Sequence, residues 1–401
     1  MKILHILGDR QLVANPEAEG ASGVVRVALE LAQAQTRLGH EVFVAATGLP
    51  AFQTVWQSVH LCKLAPLPWA YLKFQARTID FRQHIPYILL TLKHKFDLIQ
   101  GHHYSYLRFL RTRRRIVHFH GSPFYRGSKN EGIDYKVTDF QIVANSSDAQ
   151  IAISKFIAKE VERGLAQVKK PKKVYLVYNG VDTAHFAAPR WQEKALELRQ
   201  GWGLPAEAVL VLFAGAIVPE KGVLHLARAF AQLAPEIPSL HLALAGTRNL
   251  WGGSIKQEDP HHSYIEDCKN SLKSMQDAGR VHFLGNVSVA NMPAVYAASD
   301  IVAIPSVWQE PFGLVALEAL ASGCPIIATA TGGLAELVNE QNGIGVPPAD
   351  EGALKEAIRT LANNAPLRRQ LGQAGQAQAQ HFSWDLAAQH LETIYQNLLV
   401  Q

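Results

Sequence analysis

Apolar residues fall along this chain in two alternating rhythms. Short runs rich in Val, Ile and Leu read as buried strands, and longer stretches with apolar residues near every third or fourth position read as helices. "KILHIL" is the first run. A polar, glycine-containing loop follows ("GDRQLVANPEAEGASG"). In "VVRVALELAQAQTRLGH", Val24, Val27, Ala28, Leu31 and Leu38 then recur near helical spacing, and Gly39 closes the helix. "EVFVAAT" is the next strand, which completes a β-loop-α-β unit, the building block of a doubly wound parallel sheet. "FDLIQGHH", "RIVHFHG", "FQIVANS" and "KVYLVYNG" read as further buried strands. The pattern then restarts. "AVLVLFAGAIVPEKG" is strand, glycine turn and lysine; "VLHLARAFAQLA" is a helix; "LHLALAG", "VHFLGNV", "DIVAIPS" and "PIIATAT" are strands. Near the end, Trp384, Ala388, Leu391, Ile394, Tyr395 and Leu398 mark one amphipathic helix.

These rhythms predict an α/β protein of two doubly wound, Rossmann-like domains, 1–185 and 186–382, joined near 179–194. The helix within 383–401 is expected to cross back to the first domain. Ligands of such sheets bind beyond the carboxyl ends of the strands, so a cleft between two such edges is the expected site.

Charge sharpens this picture. The net charge is +5, yet residues 1–185 hold 25 Lys/Arg against 14 Asp/Glu, a net of +11, while the remainder is at −6. A basic front half and an acidic back half predict different partners for the two domains. The three cysteines, Cys62, Cys268 and Cys324, are too few and scattered for a disulfide framework or a metal knuckle. The apolar part of "MKILHILGD" is too short for a signal peptide, and no apolar run approaches the ~20 residues of a membrane-spanning helix. The expectation is a soluble, cytoplasmic protein, with peripheral contact to the inner membrane face as a further expectation.

The stretch that carries chemistry is "SVWQEPFGLVALEALASGCP", residues 306–325. A strand feeds a loop, and the loop feeds a helix ended by Gly323 and Pro325. The N–H groups of Gly313, Leu314 and Val315 open that helix and lack intrahelical acceptors, which makes a seat for phosphate. Glu310 stands in the loop. Glu318 lies about one turn into the helix, where a carboxylate can accept two hydroxyls of a ribose or a sugar diol. The plainer alternative makes Glu310 a charge beside the helix dipole and Glu318 a solvated residue.

The pattern E-P-F-G-x-x-x-x-E-A-x-A-x-G-x-P resembles the E-x7-E signature of retaining glycosyltransferases of family 4, which have the two-domain GT-B fold. "SGVVRVALELAQAQTRLGHEVFV", "HFHGSP", "VYNGVDTAHF", "FAGAIVPEKG", "VHFLGNV", "YAASDIVAIPS" and "TGGLAELV" follow in that family's order, so the resemblance spans nearly the whole chain. It implies a role for each matching position. Glu310 would contact hydroxyls of the transferred sugar, and the amides from Phe312 through Gly313 and Leu314 to Val315 would hold sugar and diphosphate. Glu318 would bind the ribose. Lys221 would neutralise the diphosphate. His120 would face the reacting sugar, and Gly23 would let the backbone approach donor or acceptor. Gly285 to Val287 would contact the nucleobase.

One position departs from the pattern. Ala216 stands where the family has an arginine that shares the diphosphate with the lysine, which removes one bidentate phosphate clamp. A solvated loop lysine and a turn-capping histidine are the plain alternatives for Lys221 and His120. The resemblance implies that a departing diphosphate is stabilised by lysine, helix N-terminus and amides, without metal or cofactor, and the chain's lack of an Asp-x-Asp is consistent with that. His102, His103, His118, His120, His261 and His262 invite a metal reading, but no His pair at i, i+4 carries an adjacent Glu, and none is expected.

The resemblance therefore implies a retaining, metal-independent hexosyltransferase. Its donor would be a nucleotide sugar, a UDP-sugar before GDP-mannose. The acceptor would be a carbohydrate or lipid-linked hydroxyl, in polysaccharide or glycolipid synthesis. A nucleotide-sugar epimerase on the same scaffold and a non-catalytic donor-binding subunit are the rivals. A dehydrogenase is disfavoured, because no G-x-G-x-x-G follows the first strand. "RTRRR", residues 111–115, reads as a solvated face or an attractor of anionic lipid or a phosphorylated acceptor. Residues 68–96 read as a core-packed helix pair or an interfacial membrane element. Nucleic acid is not an expected partner, since no recognisable binding module is present.

Overall fold

The computed structural model describes residues 1–8, 12–16, 23–74, 77–110, 114–124, 137–246 and 262–400. The chain divides into two compact units, Met1–Asn179 with Trp384–Gln401, and Gly180–Ser383.

The first unit is built on an eight-stranded sheet. Its order across the sheet is Val174–Leu176, Ala149–Ala152, Arg115–Phe119, Leu98–Gly101, Lys2–Ile6, Glu41–Thr47, Val59–Leu64 and Phe52–Trp56. Every pairing is parallel except the last, where Phe52–Trp56 runs antiparallel to Val59–Leu64. Lys2–Ile6 lies at the centre, with Ile3 opposite Val42 on one side and Leu98 on the other. The strand order reverses between Lys2–Ile6 and Leu98–Gly101, which opens a crevice at their carboxyl ends. The helix Gly23–Arg37 buries Val27, Leu31, Ala34 and Gln35. The terminal helix Trp384–Val400 packs against it, burying Leu391, Ile394 and Tyr395. Arg37 meets Asp385 at 2.7 Å and His40 meets Glu392 at 2.6 Å along the same seam.

The second unit is a six-stranded, wholly parallel sheet in the order Val281–Gly285, Leu240–Ala245, Val209–Ala214, Ile301–Ile304, Ile326–Thr329 and Gly343–Val346. Val211 faces Leu242 on one side and Ile301 on the other. Strands buried on both faces explain the unbroken apolar runs. Phe213, Leu226, Phe230, Leu242, Leu244, Leu272 and Ile358 belong to one continuous core. The order reverses between Val209–Ala214 and Ile301–Ile304, so this unit too has a switch-point crevice.

Two expectations are corrected. "FQIVANS" is not a strand; it lies in the helix Val137–Ser146, because its buried residues Phe140, Val143 and Ala144 fall at i, i+3 and i+4. The strand comes just after, as the short Ala149–Ala152. Residues 68–96 are not a helix pair. An antiparallel hairpin, Tyr71–Phe74 with Arg77–Asp80, precedes a single helix, His84–His94. The stretch around Thr78 and Ile79 has no apolar series at helical spacing, and β-branched residues favour the extended form. The residues before Gly23 (17–22) and the "RTRRR" positions 111–113 lie outside the described residues. No helix among the described residues is long and apolar enough to cross a membrane.

Candidate functional site

In the Gly180–Ser383 unit the site is assembled at the switch point. Ile301–Ile304 ends in Pro305, and the loop to the helix Leu314–Ala321 is stitched down along its length. Val307 N–H donates to the Glu220 carbonyl at 2.9 Å, which ties this loop to the "PEKG" turn. Thr331 Oγ1 donates to the Trp308 carbonyl at 3.0 Å, and Gly333 N–H donates to the Glu310 carbonyl at 2.6 Å. A Cβ at Gly333 would stand 2.2 Å from the Pro311 carbonyl oxygen, so only glycine lets that segment press on the loop. Gly313, at φ +106°, turns the chain into the helix.

Both glutamates are buried, Glu310 at 6% and Glu318 at 5% exposure, which rules out the solvated reading of Glu318. Glu310 Oε1 accepts from Lys221 Nζ at 2.6 Å and from Ser306 Oγ at 2.6 Å. Burial alone would raise its carboxyl. The Lys221 charge and hydrogen bonds from Lys221, Ser306 and Trp308 outweigh that and hold it below the usual carboxylate range. Lys221 is thus paired with a carboxylate rather than solvated, and its ammonium sits 5.0 Å from the Trp308 ring centroid. Glu318 Oε2 accepts from the Tyr296 hydroxyl at 2.8 Å.

A cavity of about 210 Å³ opens at the carboxyl ends of Val209–Ala214, Leu240–Ala245 and Val281–Gly285. Ala216, Val287, Val315 and Glu318 line it, together with Tyr296 and Gly246. At Gly246 a Cβ would stand 1.7 Å from the Gly215 carbonyl oxygen, so any side chain there would collide with the cavity wall. Gly246 N–H donates to the Gly285 carbonyl at 2.7 Å, which places Gly285 at the rim. Leu314 opens the helix beside Val315. Phe312 is core: its ring is 2% exposed and packs 6.2 Å from Phe382, so only its backbone can meet a ligand. The predicted donor residues therefore fall into two groups, the cavity wall and the Lys221–Glu310 pair on the stitched loop. Tyr296, 22 residues before Glu318, carried no signal in the spacing.

The first unit holds His120 just beyond Arg115–Phe119. His120 Nε2 is hydrogen-bonded to His102 Nδ1 at 2.6 Å, and His102 Nε2 to His5 Nδ1 at 3.0 Å. His102 directly follows Leu98–Gly101, one of the two strands between which that sheet's order reverses, and His5 lies in the other. Burial pushes the His5 imidazole down to about 4, against the opposing Gln35 hydrogen bond. Burial, then the neighbouring His5, push His118 down to about 3. Ring nitrogens of His102, His118 and His120 lie within 4.8 Å of one another. That spacing suits a metal ion, but both nitrogens of His102 are already spent on neighbouring imidazoles. His261 lies outside the described residues. A Cβ on Gly23 meets nothing within 4 Å, so no described neighbour requires glycine there.

Residues 21–185 match the family model described as Glycosyltransferase Family 4, and residues 195–378 match the one described as Glycosyl transferases group 1. An uncharacterised glycosyltransferase of Methanocaldococcus jannaschii is 27% identical over 385 residues, 91% of this chain and 92% of that protein. The D-inositol 3-phosphate glycosyltransferase of Salinispora arenicola is 35% identical over 229 residues, 56% of this chain; the match spans about half (50%) of that relative's length. Among solved structures, sucrose-phosphate synthase from Thermosynechococcus elongatus superposes with a TM-score of 0.77 at 23% identity, covering 100% of this chain and 99% of that one. The Anabaena protein HepE, crystallised in complex with UDP and glucose, superposes at 0.73 with 22% identity, covering 98% and 99%.

Proposed function

The chain belongs to glycosyltransferase family 4, group 1, with the GT-B fold, and on that premise we propose a retaining, metal-independent hexosyltransferase. It takes its sugar from a nucleoside diphosphate, a UDP-sugar before GDP-mannose, and gives it to an acceptor hydroxyl. The observation that carries this reading is the pair of buried carboxylates on one loop and helix, one bonded to a lysine and one to a tyrosine hydroxyl. The anionic donor is then met by Lys221 and the open N–H groups of Gly313 to Val315. Glu318 accepts the ribose hydroxyls and Glu310 those of the transferred sugar. The C1–O bond to phosphate breaks as the acceptor oxygen bonds to C1 on the same face. The acceptor proton passes to the departing phosphate oxygen, so no separate base is required. Charge growing on that phosphate meets fixed donors, which need not reorganise. A uridine nucleotide is tried first because HepE, a protein of like fold, was crystallised with UDP.

The acceptor is a polysaccharide or lipid-linked saccharide. On the helix His84–His94, Leu89 and Leu92 are exposed at 55% and 70%, with Lys93 and Lys95 exposed close by, a combination suited to an anionic membrane face. Co-sedimentation with vesicles containing anionic lipid tests that contact, and Leu92→Glu abolishes it.

Thermal shift against UDP, GDP, ADP and their sugars identifies the donor. Glu318→Ala weakens nucleotide affinity, whereas Glu310→Ala mainly impairs transfer. Wild-type turnover in both variants overturns the assignment. Free sugar and nucleotide formed from donor alone would point to the epimerase, and nucleotide binding without transfer across an acceptor panel to a binding subunit.

A further inference from the structure

A continuous hydrogen-bonded chain runs through the first unit from the terminal helix to His120. Gln35 Nε2 donates to the Tyr395 hydroxyl at 2.9 Å, and Gln35 Oε1 is bonded to His5 Nε2 at 2.8 Å. His5, His102 and His120 follow ring to ring. A second branch leaves the same hydroxyl: Tyr395 donates to Gln100 Oε1 at 2.6 Å, and Gln100 Nε2 is bonded to His118 Nδ1 at 2.6 Å. His5, Gln35, Gln100 and His118 are buried to 1% exposure or less.

Proton counting fixes what this chain can do. Each neutral imidazole has one N–H and one lone pair, and each amide has one donor end and one acceptor end. Gln35 spends its N–H on Tyr395, so its oxygen accepts from His5 Nε2–H. His5 Nδ1 then accepts from His102 Nε2–H, and His102 Nδ1 accepts from His120 Nε2–H. In the other branch Gln100 Oε1 accepts from Tyr395, so Gln100 donates to His118 Nδ1, and His118 bears its proton on Nε2. Turning both amides over reverses every bond and moves both protons to Nδ1. Turning Gln35 alone sets two amide oxygens against one O–H and leaves a bond unmade, and turning Gln100 alone sets two N–H groups on the hydroxyl oxygen and strands its buried O–H without an acceptor. The tautomers of His118 and His120 are therefore locked together.

We propose that Tyr395 is a positioning residue: its single hydroxyl proton makes His118 and His120 carry their protons on the same ring nitrogen, Nε2 with the two amides as they stand, and so ties the tautomer of His120 to that of His118. The role of His120 rests on the function proposed above; the coupling of the two rings does not. The carboxyl-terminal helix is then part of the catalytic apparatus of the first unit, in addition to closing its core.

Neutron diffraction from perdeuterated crystals of the full chain reads the coupling directly. The expected result is one deuteron on the same nitrogen of both rings, Nε2 with the amides as they stand and Nδ1 if both are turned. Protons on opposite nitrogens of His118 and His120 overturn the proposal. In Tyr395→Phe the lock is gone, and ring ¹⁵N shifts are expected to show mixed tautomers at both histidines. Its kcat is expected to fall about tenfold, the order of one lost buried hydrogen bond, with the donor KM within about twofold. Arg37→Ala severs the exposed tie of the same helix to Asp385 and is expected to leave tautomers and kcat unchanged. Unmixed tautomers in Tyr395→Phe overturn the proposal, as does an Arg37→Ala variant that mixes them equally. Should Tyr395→Phe fail to fold, Gln100→Leu opens the same lock from the His118 side. A wild-type protein that transfers no sugar refutes the functional reading alone, because the neutron result still decides the coupling.

Discussion

Replacing Lys221 by Met strands a buried carboxylate. Lys221 Nζ is 2.6 Å from Glu310 Oε1, and the two side chains are 21% and 7% exposed. Removing one partner of a buried pair costs about 3–5 kcal/mol, because the other charge is left without compensation. Lys221 keeps a fifth of its surface in water, so the low end, about 3 kcal/mol, applies. In a unit of this size that lowers the unfolding midpoint by roughly 6–12 °C. The pH dependence gives the sharper test. In the wild type the folded Glu310 carboxyl lies below its unfolded value of about 4.3. Its contribution is complete above that value and is lost as pH falls through the lowered folded value. In Lys221→Met, burial dominates and raises the carboxyl, so the penalty is largest near neutrality and shrinks as acid protonates Glu310. The gap in midpoint between variant and wild type should therefore narrow from about pH 7.5 to about pH 5. It should nearly close at every pH in the double variant Lys221→Met/Glu310→Gln, which carries neither charge. Scanning calorimetry at several pH values checks this. A gap that is absent at pH 7.5, or constant with pH, refutes the pairing argument.

Three further outcomes are expected. Tyr296→Phe deletes the hydroxyl that donates to Glu318 and should weaken UDP binding about fivefold, equivalent to about 1 kcal/mol, by titration calorimetry, with the fold intact. Ala216→Arg places a guanidinium at the cavity wall and should tighten a nucleoside diphosphate about tenfold while leaving the nucleoside unchanged; equal gains for both would remove phosphate from the explanation. Gly246→Ala sets a Cβ against the Gly215 carbonyl and should abolish nucleotide binding and lower the melting temperature, whereas Gly201→Ala, where a Cβ meets nothing within 4 Å, should leave binding unchanged.

The two parallel sheets were legible because strands buried on both faces leave unbroken apolar runs, and Val209–Ala214 and Ile301–Ile304 stand out on inspection. Where strand and helix compete over a short stretch, the period is ambiguous: "FQIVANS" has the β-branched Ile142 and Val143 but buries Phe140, Val143 and Ala144 at helical spacing. The hairpin Phe52–Trp56 with Val59–Leu64 passed unnoticed because its turn residues, Gln57 and Ser58, both take positive φ without the Asn-Gly or Asp-Gly signature. Edge strand Gly343–Val346 was hidden by its glycines. At the candidate site, local motifs were readable and long-range partners were not. Glu310 and Glu318 stood out by spacing, yet the donors that meet them, Lys221 and Tyr296, lie 89 and 22 residues away. The histidine chain is the extreme case: Tyr395 and Gln100 are 295 residues apart and meet only because the terminal helix packs on the Gly23–Arg37 helix.

Ala216 and the Lys221–Glu310 pair bear on one another. Among the described residues lining the cavity none is cationic, and Glu318 is acidic. Lys221 is not among those lining residues; under the proposed function it would meet the diphosphate from the neighbouring loop, its charge already partly neutralised by Glu310. Under the proposed function the lysine must serve two anions at once, and the buried carboxylate 2.6 Å away holds its ammonium in place. Glu310 then acts on the sugar hydroxyls directly and on the phosphate through Lys221. Its loss should harm transfer more than affinity for free nucleotide, because removing it also releases the lysine toward the phosphate. Tyr296, which donates to Glu318, is neutral, and the loss of Glu318 should appear in affinity. The contrast between the two glutamates thus follows from what each is bonded to, and it requires no general base in the second unit.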